Sequence, residues 1–216
     1  MVRRVINKIF FKSRLDEYID FLKLLRLREY TIYPLCDYVD KDGCFIDKYF
    51  IRIDVDKDPR AALAIGKAMQ DYGRASFYFR WATMDTDIMR ELKDMGYEVS
   101  LHYETLANIF REDKIKRKAE VTSEIIERGR KALFFEVQAF QDAFWEVKTI
   151  TAHGQILNRK VGVTNDILNH PLDVTNINHD TDKFSLSYHR CTLIHPCKIL
   201  ITNKIERLIS DLMDKR

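Results

Sequence analysis

The sequence predicts an α/β protein built on a parallel sheet, and three observations carry the prediction. From residue 49 onward, short apolar runs of strand length alternate with stretches of helical period. Helix start and stop signals fall between them, with Asp58-Pro59 and Asp85-Thr86 as starts and Gly73 and Gly96 as stops. Four of the runs end in polar or ionisable residues, and parallel sheets place such residues together along the carboxyl edge of their strands. Alternation of this kind means βαβ units, with helices covering the sheet.

The elements follow in order. Ser13 is placed to cap a helix whose apolar residues Leu15, Tyr18, Ile19 and Leu22 are spaced i, i+3, i+4 and i+7. A mixed aromatic stretch over 30–39 leads to a polar turn at 40–43. Residues 49–53 read as a buried strand ending in Asp54-Val55-Asp56, followed by a helix through Ala62, Ile65 and Met69 with Gly73 as its C′ residue. The strand at 75–79 ends at Arg80-Trp81, and the helix after it runs from Asp85 or Thr86 to Gly96. A third strand, 97–101, ends at His102-Tyr103-Glu104. A long helical region follows over 113–144, with a break or kink expected at Gly129. The fourth strand, 148–151, ends at Ala152-His153-Gly154. Further strands are expected at 161–163, 172–175 and 193–195, and the segment 201–213 reads as an amphipathic helix that covers the fold or serves a dimer. No linker, repeat or low-complexity segment interrupts the chain, so residues 1–216 are read as one domain with 1–48 as a helical and extended lead-in.

Composition narrows the function classes. An apolar share of 46% and a charged share of 32% suit a soluble globular core rather than a disordered chain. With 36 Lys and Arg against 33 Asp and Glu, the net charge of +3 provides no electrostatic case for nucleic acid or an anionic membrane. The basic, apolar start is broken by Asn7 and Lys8 and is not followed by a small-residue cleavage site, so it does not read as a signal peptide. No run approaches the roughly 18 uncharged apolar residues of a spanning helix. Cys36, Cys44, Cys191 and Cys197 have no Cys-x-x-Cys spacing and are expected as reduced thiols, which with the missing export signal places the chain in the cytoplasm.

The strand-end residues point to metal chemistry. Because parallel strands share one carboxyl edge, Asp54, Asp56, His102 and His153 should meet there, beside Arg80, Trp81 and Glu104. Two carboxylates and two imidazoles suit a divalent ion such as zinc, and three protein ligands with an open position define a catalytic site. Asp54 and Asp56 lie two apart and face the same side if the strand continues through them, so one can ligate while the other takes a proton from water. Arg80 would neutralise a carboxylate or bind substrate, and Trp81 would stack on a sugar ring or pack. Arg52, among apolar neighbours, should pair with a buried acid near the site.

These pieces, in this order, resemble the polysaccharide deacetylase (NodB-homology, carbohydrate esterase) superfamily, and within it a branch with an Asp-x-Asp motif after an Arg. The residues that carry the resemblance are Arg52-Ile53-Asp54-Val55-Asp56, Arg74-Ala75-Ser76-Phe77-Tyr78-Phe79, Gly96-Tyr97-Glu98-Val99-Ser100-Leu101-His102-Tyr103-Glu104, Thr151-Ala152-His153-Gly154 and Leu193-Ile194-His195-Pro196. The resemblance implies a distorted, incomplete (β/α) barrel and hydrolysis of an N-acetyl or related acyl group on a carbohydrate. It implies Asp54 as general base, a divalent metal (zinc first, then cobalt or nickel) on Asp56, His102 and His153, and His195 as the acid that protonates the departing amine. The sequence departs from the common family pattern at Val55, which separates the aspartates, and at Leu106, where a second histidine would stand. His153 is therefore preferred over Glu104 as the third ligand. Metal-dependent hydrolysis of another amide or of a phosphoester fits the same ligands. A third reading is a member that kept the fold and binds carbohydrate or a protein without turnover. A Rossmann site and a serine hydrolase are excluded for want of Gly-x-Gly-x-x-Gly and Gly-x-Ser-x-Gly.

Overall fold

The computed structural model describes residues 14–40, 48–169 and 198–201. Helix α1 (Arg14–Leu27) precedes strand β1 (Thr31–Tyr33), helix α2 (Leu35–Asp40) and strand β2 (Lys48–Val55). Then come α3 (Pro59–Met69), β3 (Ser76–Phe79), α4 (Thr86–Asp94), β4 (Glu98–Tyr103), α5 (Thr105–Glu112), α6 (Ser123–Ala143), β5 (Thr151–Ala152), α7 (Ile156–Val161) and β6 (Lys198–Ile201).

Every strand pairing is parallel, and β2, β3, β4 and β5 are neighbours in chain order. The registers assign the edges of β2. Residues 49–52 pair with β6, overlapping both the β1 partners at 48–50 and the β3 partners at 52–55, so β6 takes one edge and β1 and β3 share the other. β1 is wedged at the base of β3, where Ile32 bridges Gly73. The described sheet is open, not closed into a ring.

The stretch 30–39 of the lead-in contains a strand of the main sheet and a short helix. One expectation changes here. Gly73 is not the C′ residue of α3, which ends at Met69. It permits a close approach, since a Cβ there would lie 2.7 Å from Ile32 Cβ and 2.8 Å from its carbonyl oxygen, and its φ is 143°. Gly96 does serve as predicted: with φ 86° it ends α4, its N–H donating to the Lys93 carbonyl while Tyr97 N–H reaches Leu92.

Period-two alternation divides the sheet into an apolar and a polar face. Tyr49, Ile51, Ile53 and Val55 of β2, Phe77 and Phe79 of β3, and Val99, Leu101 and Tyr103 of β4 join the core. That core includes Tyr18, Phe21, Leu22 and Leu25 of α1, Ala62 and Met69 of α3, and Ile88, Met89 and Leu92 of α4. Removing each large apolar side chain from water is worth about 1.5–3 kcal/mol. The alternate positions are Arg52, Asp54, Ser76, Tyr78, Glu98, Ser100 and His102, so the opposite face is mostly polar and its polar groups must satisfy one another.

Helices α3 and α4 start where the sequence placed them. Asp58 accepts the Arg60 N–H at 3.0 Å with Pro59 at the first turn, and Asp85 accepts the Ile88 N–H at 3.2 Å. The expected long helix over 113–144 is replaced by a short 3₁₀ turn (Lys118–Glu120) and α6, while α5 occupies the residues just before it. Gly129 does not break α6, which runs through it without interruption. A Cβ there would come 2.7 Å from Leu168 Cδ2 and 3.5 Å from Leu106 Cδ1, so the glycine marks close packing of neighbouring elements. Residues 161–163, expected as a strand, are the end of α7, with Gly162 in the left-handed conformation closing it. The strand expected at 172–175 lies outside the described residues. So do His170, His179, His189 and His195, Cys44, Cys191 and Cys197, and all but Ile201 of the 201–213 segment. Among the described residues no helix is long and apolar enough to cross a membrane.

Candidate metal centre

Asp54 lies in the last turn of the pleat of β2 and Asp56 just beyond it, so both project from the polar face. The backbone here is held from β3's far end, where Thr83 Oγ1 donates to the Val55 carbonyl at 2.6 Å and Arg80 Nη1 to the Asp56 carbonyl at 3.1 Å. His102 is the same-face residue near the end of β4, and His153 follows the two residues of β5. The three strands run parallel, and their ends bring one ligand atom each from Asp56, His102 and His153 within 4.8 Å of one another.

His153 Nδ1 lies 3.2 Å from both Asp56 Oδ1 and His102 Nε2, and His102 Nε2 lies 3.5 Å from Asp56 Oδ1. His102 is 2% exposed, and its Nδ1 faces the Thr151 carbonyl at 3.1 Å and the Thr151 hydroxyl at 2.8 Å. The carbonyl only accepts, so Nδ1 carries the hydrogen and Nε2 presents its lone pair to the cluster. Burial pushes the His102 pKa down to about 4, with Asp54 opposing it, so the ring is neutral near pH 7. The neighbouring His153 holds Asp56 below the usual carboxylate range despite its burial. Asp56 Oδ1 is nevertheless shut off from solvent with no hydrogen bond of good geometry.

These contacts test the fit of a cation. A carboxylate oxygen and an imidazole lone pair converge with a second imidazole nitrogen, and only a proton on that nitrogen or a cation among the three offsets the concentration of acceptors. Two imidazoles and a carboxylate from three strands suit a first-row divalent ion such as zinc. The donor set fits.

Asp54 is adjacent but differently engaged. Arg52 Nε donates to its Oδ1 at 2.7 Å and Arg52 Nη2 to its Oδ2 at 2.8 Å, while that Oδ2 is 3.8 Å from His102 Nε2. Each carboxylate oxygen keeps a second lone pair, and Oδ2 is the oxygen beside the cluster. Around the rim, Arg80 Nη2 contacts both Glu104 oxygens at 3.0 Å, and Gln155 Nε2 donates to Glu104 at 3.3 Å. Burial raises the Glu104 carboxyl, but the Arg80 hydrogen bond and charge outweigh it and hold the group below the usual range. Trp81 opens the short turn after β3, 44% exposed, with its ring edge-on to Phe140 at 6.2 Å between centroids. Thus Asp54, Asp56, His102 and His153 gather as expected, with Arg80 and Glu104 as an ion pair on the rim. His195 lies outside the described residues.

Several supporting residues escaped sequence reasoning. Thr151 sets the His102 tautomer, and Asn158, Asn165 and Asn169 form a buried polar cluster behind His153. Polar residues in a segment without periodicity give no signal of burial, so nothing in the pattern marked them. Comparison with known proteins finds no matching family model, no matching curated protein and no matching solved structure.

Proposed function

We propose that this chain is a metal-dependent hydrolase that resembles the polysaccharide deacetylases and removes an N-acetyl or similar acyl group from a carbohydrate. The observation that carries the reading is the convergence of Asp56 Oδ1, His102 Nε2 and His153 Nδ1 beside an independently held second carboxylate, Asp54. Winding from β2 to β5 without reversal of strand order is how a (β/α) barrel is wound, and it supports the incomplete barrel that the resemblance implies.

Asp56, His102 and His153 would hold the divalent ion, zinc in the first instance. Once bound, such an ion lowers the pKa of a coordinated water and polarises an acyl oxygen. The chain's own residues do the rest. Asp54, oriented by the two Arg52 hydrogen bonds, has an oxygen lone pair beside the cluster and receives the water's proton as general base. Thr151 keeps His102 in the tautomer that ligates. Protonation of the departing amine is assigned to His195 on the resemblance. Trp81 offers an exposed indole on the rim, suited to the apolar face of a sugar ring. Both nearby guanidinium groups are engaged with carboxylates, Arg52 with Asp54 and Arg80 with Glu104, which favours a neutral acyl substrate over a phosphoester.

The test is elemental analysis of protein purified without chelator, beside Asp56→Ala, His102→Ala and His153→Ala. Near-stoichiometric metal in the parent, lost from each folded variant, is the expected result, and acetyl release from N-acetylated oligosaccharides is the assay that follows. A parent that takes up no zinc, cobalt or nickel on reconstitution would sink the reading and leave a fold that has lost its chemistry.

A further inference from the structure

His153 differs from the other two ligands in how its backbone is supported. Strand β5 pairs with β4 only at Thr151 and Ala152, and the last hydrogen bond of that ladder reaches the His153 N–H, leaving the His153 carbonyl beyond it. Gly154 follows, and a Cβ there would meet nothing within 4 Å. A ligand at the frayed end of a two-residue strand, next to a glycine in open space, needs some other restraint to stay within the tolerance of a metal site.

Hydrogen bonds to the His153 carbonyl supply that restraint. Beyond the ladder bond from its N–H to the Tyr103 carbonyl at 2.8 Å, the His153 carbonyl accepts from Asn165 Nδ2 at 2.7 Å and from the Gln155 N–H at 3.1 Å. The same Nδ2 donates to Asn158 Oδ1 at 3.0 Å, while Asn165 Oδ1 accepts the Ala107 N–H at 3.1 Å. Every partner agrees on the orientation of the amide: acceptors face its nitrogen and a donor faces its oxygen. Asn165 is 1% exposed and satisfies a free N–H in the first turn of α5, joining that helix to the His153 loop.

We infer that Asn165 is the positioning residue for the His153 ligand, clamping its backbone between the β4 edge and α5. The inference rests on the metal reading above. Asn165 touches no ligand atom and acts through the main chain alone.

The discriminating pair is Asn165→Asp and Asn158→Asp. Asp at 165 keeps the volume and the acceptor for Ala107 but loses the donor to His153. Asn158, also 1% exposed, belongs to the same cluster and donates to the Val163 carbonyl at 3.0 Å, yet makes no bond to His153. Cobalt is titrated into metal-free protein, reading affinity and the visible ligand-field bands, with circular dichroism and thermal melts as controls on folding. Asn165→Asp is expected to bind cobalt about 10–100-fold more weakly, with shifted bands. Asn158→Asp is expected to melt lower yet keep the parent's affinity and bands. Parental cobalt binding by Asn165→Asp would overturn the inference, as would equal weakening of both variants, because that is general loosening. A parent that binds no cobalt would sink the metal reading and this inference together, an outcome distinct from the other two.

Discussion

Arg52 and Asp54 are 11% and 13% exposed, joined by two hydrogen bonds, with the guanidinium 5.8 Å from the centre of the Tyr78 ring. Largely desolvated charges of this kind depend on each other, because either one alone keeps the cost of burial and loses the attraction. Arg52→Met should therefore destabilise the protein by about 3–5 kcal/mol, read by urea unfolding. The double variant Arg52→Met/Asp54→Leu should recover most of that loss, since no unpaired charge remains. A single variant as stable as the parent would mean that solvent reaches the pair. For function the roles separate: Asp54 spends one lone pair of each oxygen on Arg52, whereas Asp56 Oδ1 faces the two imidazoles. That asymmetry supports Asp56 as ligand and Asp54 as base, a choice that two-residue spacing alone leaves open.

At the scale of elements, glutamate 98 joins the short helix α2 to the sheet. Its Oε2 accepts the Cys36 N–H at 3.0 Å and the Ser76 hydroxyl, Ser76 Oγ accepts the Leu35 N–H at 2.7 Å, and Thr149 donates to Oε1 at 2.5 Å. The first N–H groups of α2 thus find their acceptors across the fold. Burial raises the Glu98 carboxyl above its ordinary 4.5, with the surrounding hydrogen bonds opposing that shift. The sign follows: the folded chain keeps a proton that the unfolded chain releases, so this contribution is full below pH 4.5 and is lost as pH climbs through the higher folded value. Above pH 4.5 the parent should lose stability relative to Glu98→Gln, measured by urea unfolding across a pH series. Parallel pH profiles for the two proteins would refute it. On α6, Gly129→Val should cost about 1–3 kcal/mol by overpacking against Leu168, even though valine is the better helix former. Unchanged urea stability would show that Leu168 simply moves aside.

Across the whole molecule, the three candidate ligands sit at the ends of β2, β4 and β5, so an ion among them would tie together strands that span most of the sheet. An ion that binds the folded chain alone stabilises it by mass action, about 2.7 kcal/mol at a hundredfold excess over Kd, or roughly 5–10 °C in Tm for a chain of this size. Zinc should raise the Tm of the parent by that amount, chelator should reverse it, and Asp56→Ala should abolish it. A melting temperature indifferent to zinc in the parent would argue that the strands do not share an ion.

By itself the sequence determined the class of fold and the membership of the site. Alternating periods require βαβ units, and parallel strands deliver their carboxyl ends to one edge, so Asp54, Asp56, His102 and His153 had to meet whatever lay between them. Arg52 was legible as well, because a cation among apolar residues needs a buried partner. Only tertiary structure decided which atoms face the centre of the cluster, through the Thr151 carbonyl that orients His102 and the Asn165 amide that bonds the His153 carbonyl. It also decided that Gly129 packs closely inside an unbroken helix, that Gly73 meets Ile32, and that residues 161–163 close a helix instead of forming a strand. The contacts of His102 with Thr151, Gly73 with Ile32 and Gly129 with Leu168 join residues far apart in the chain, and local periodicity contains no information about contacts at that range.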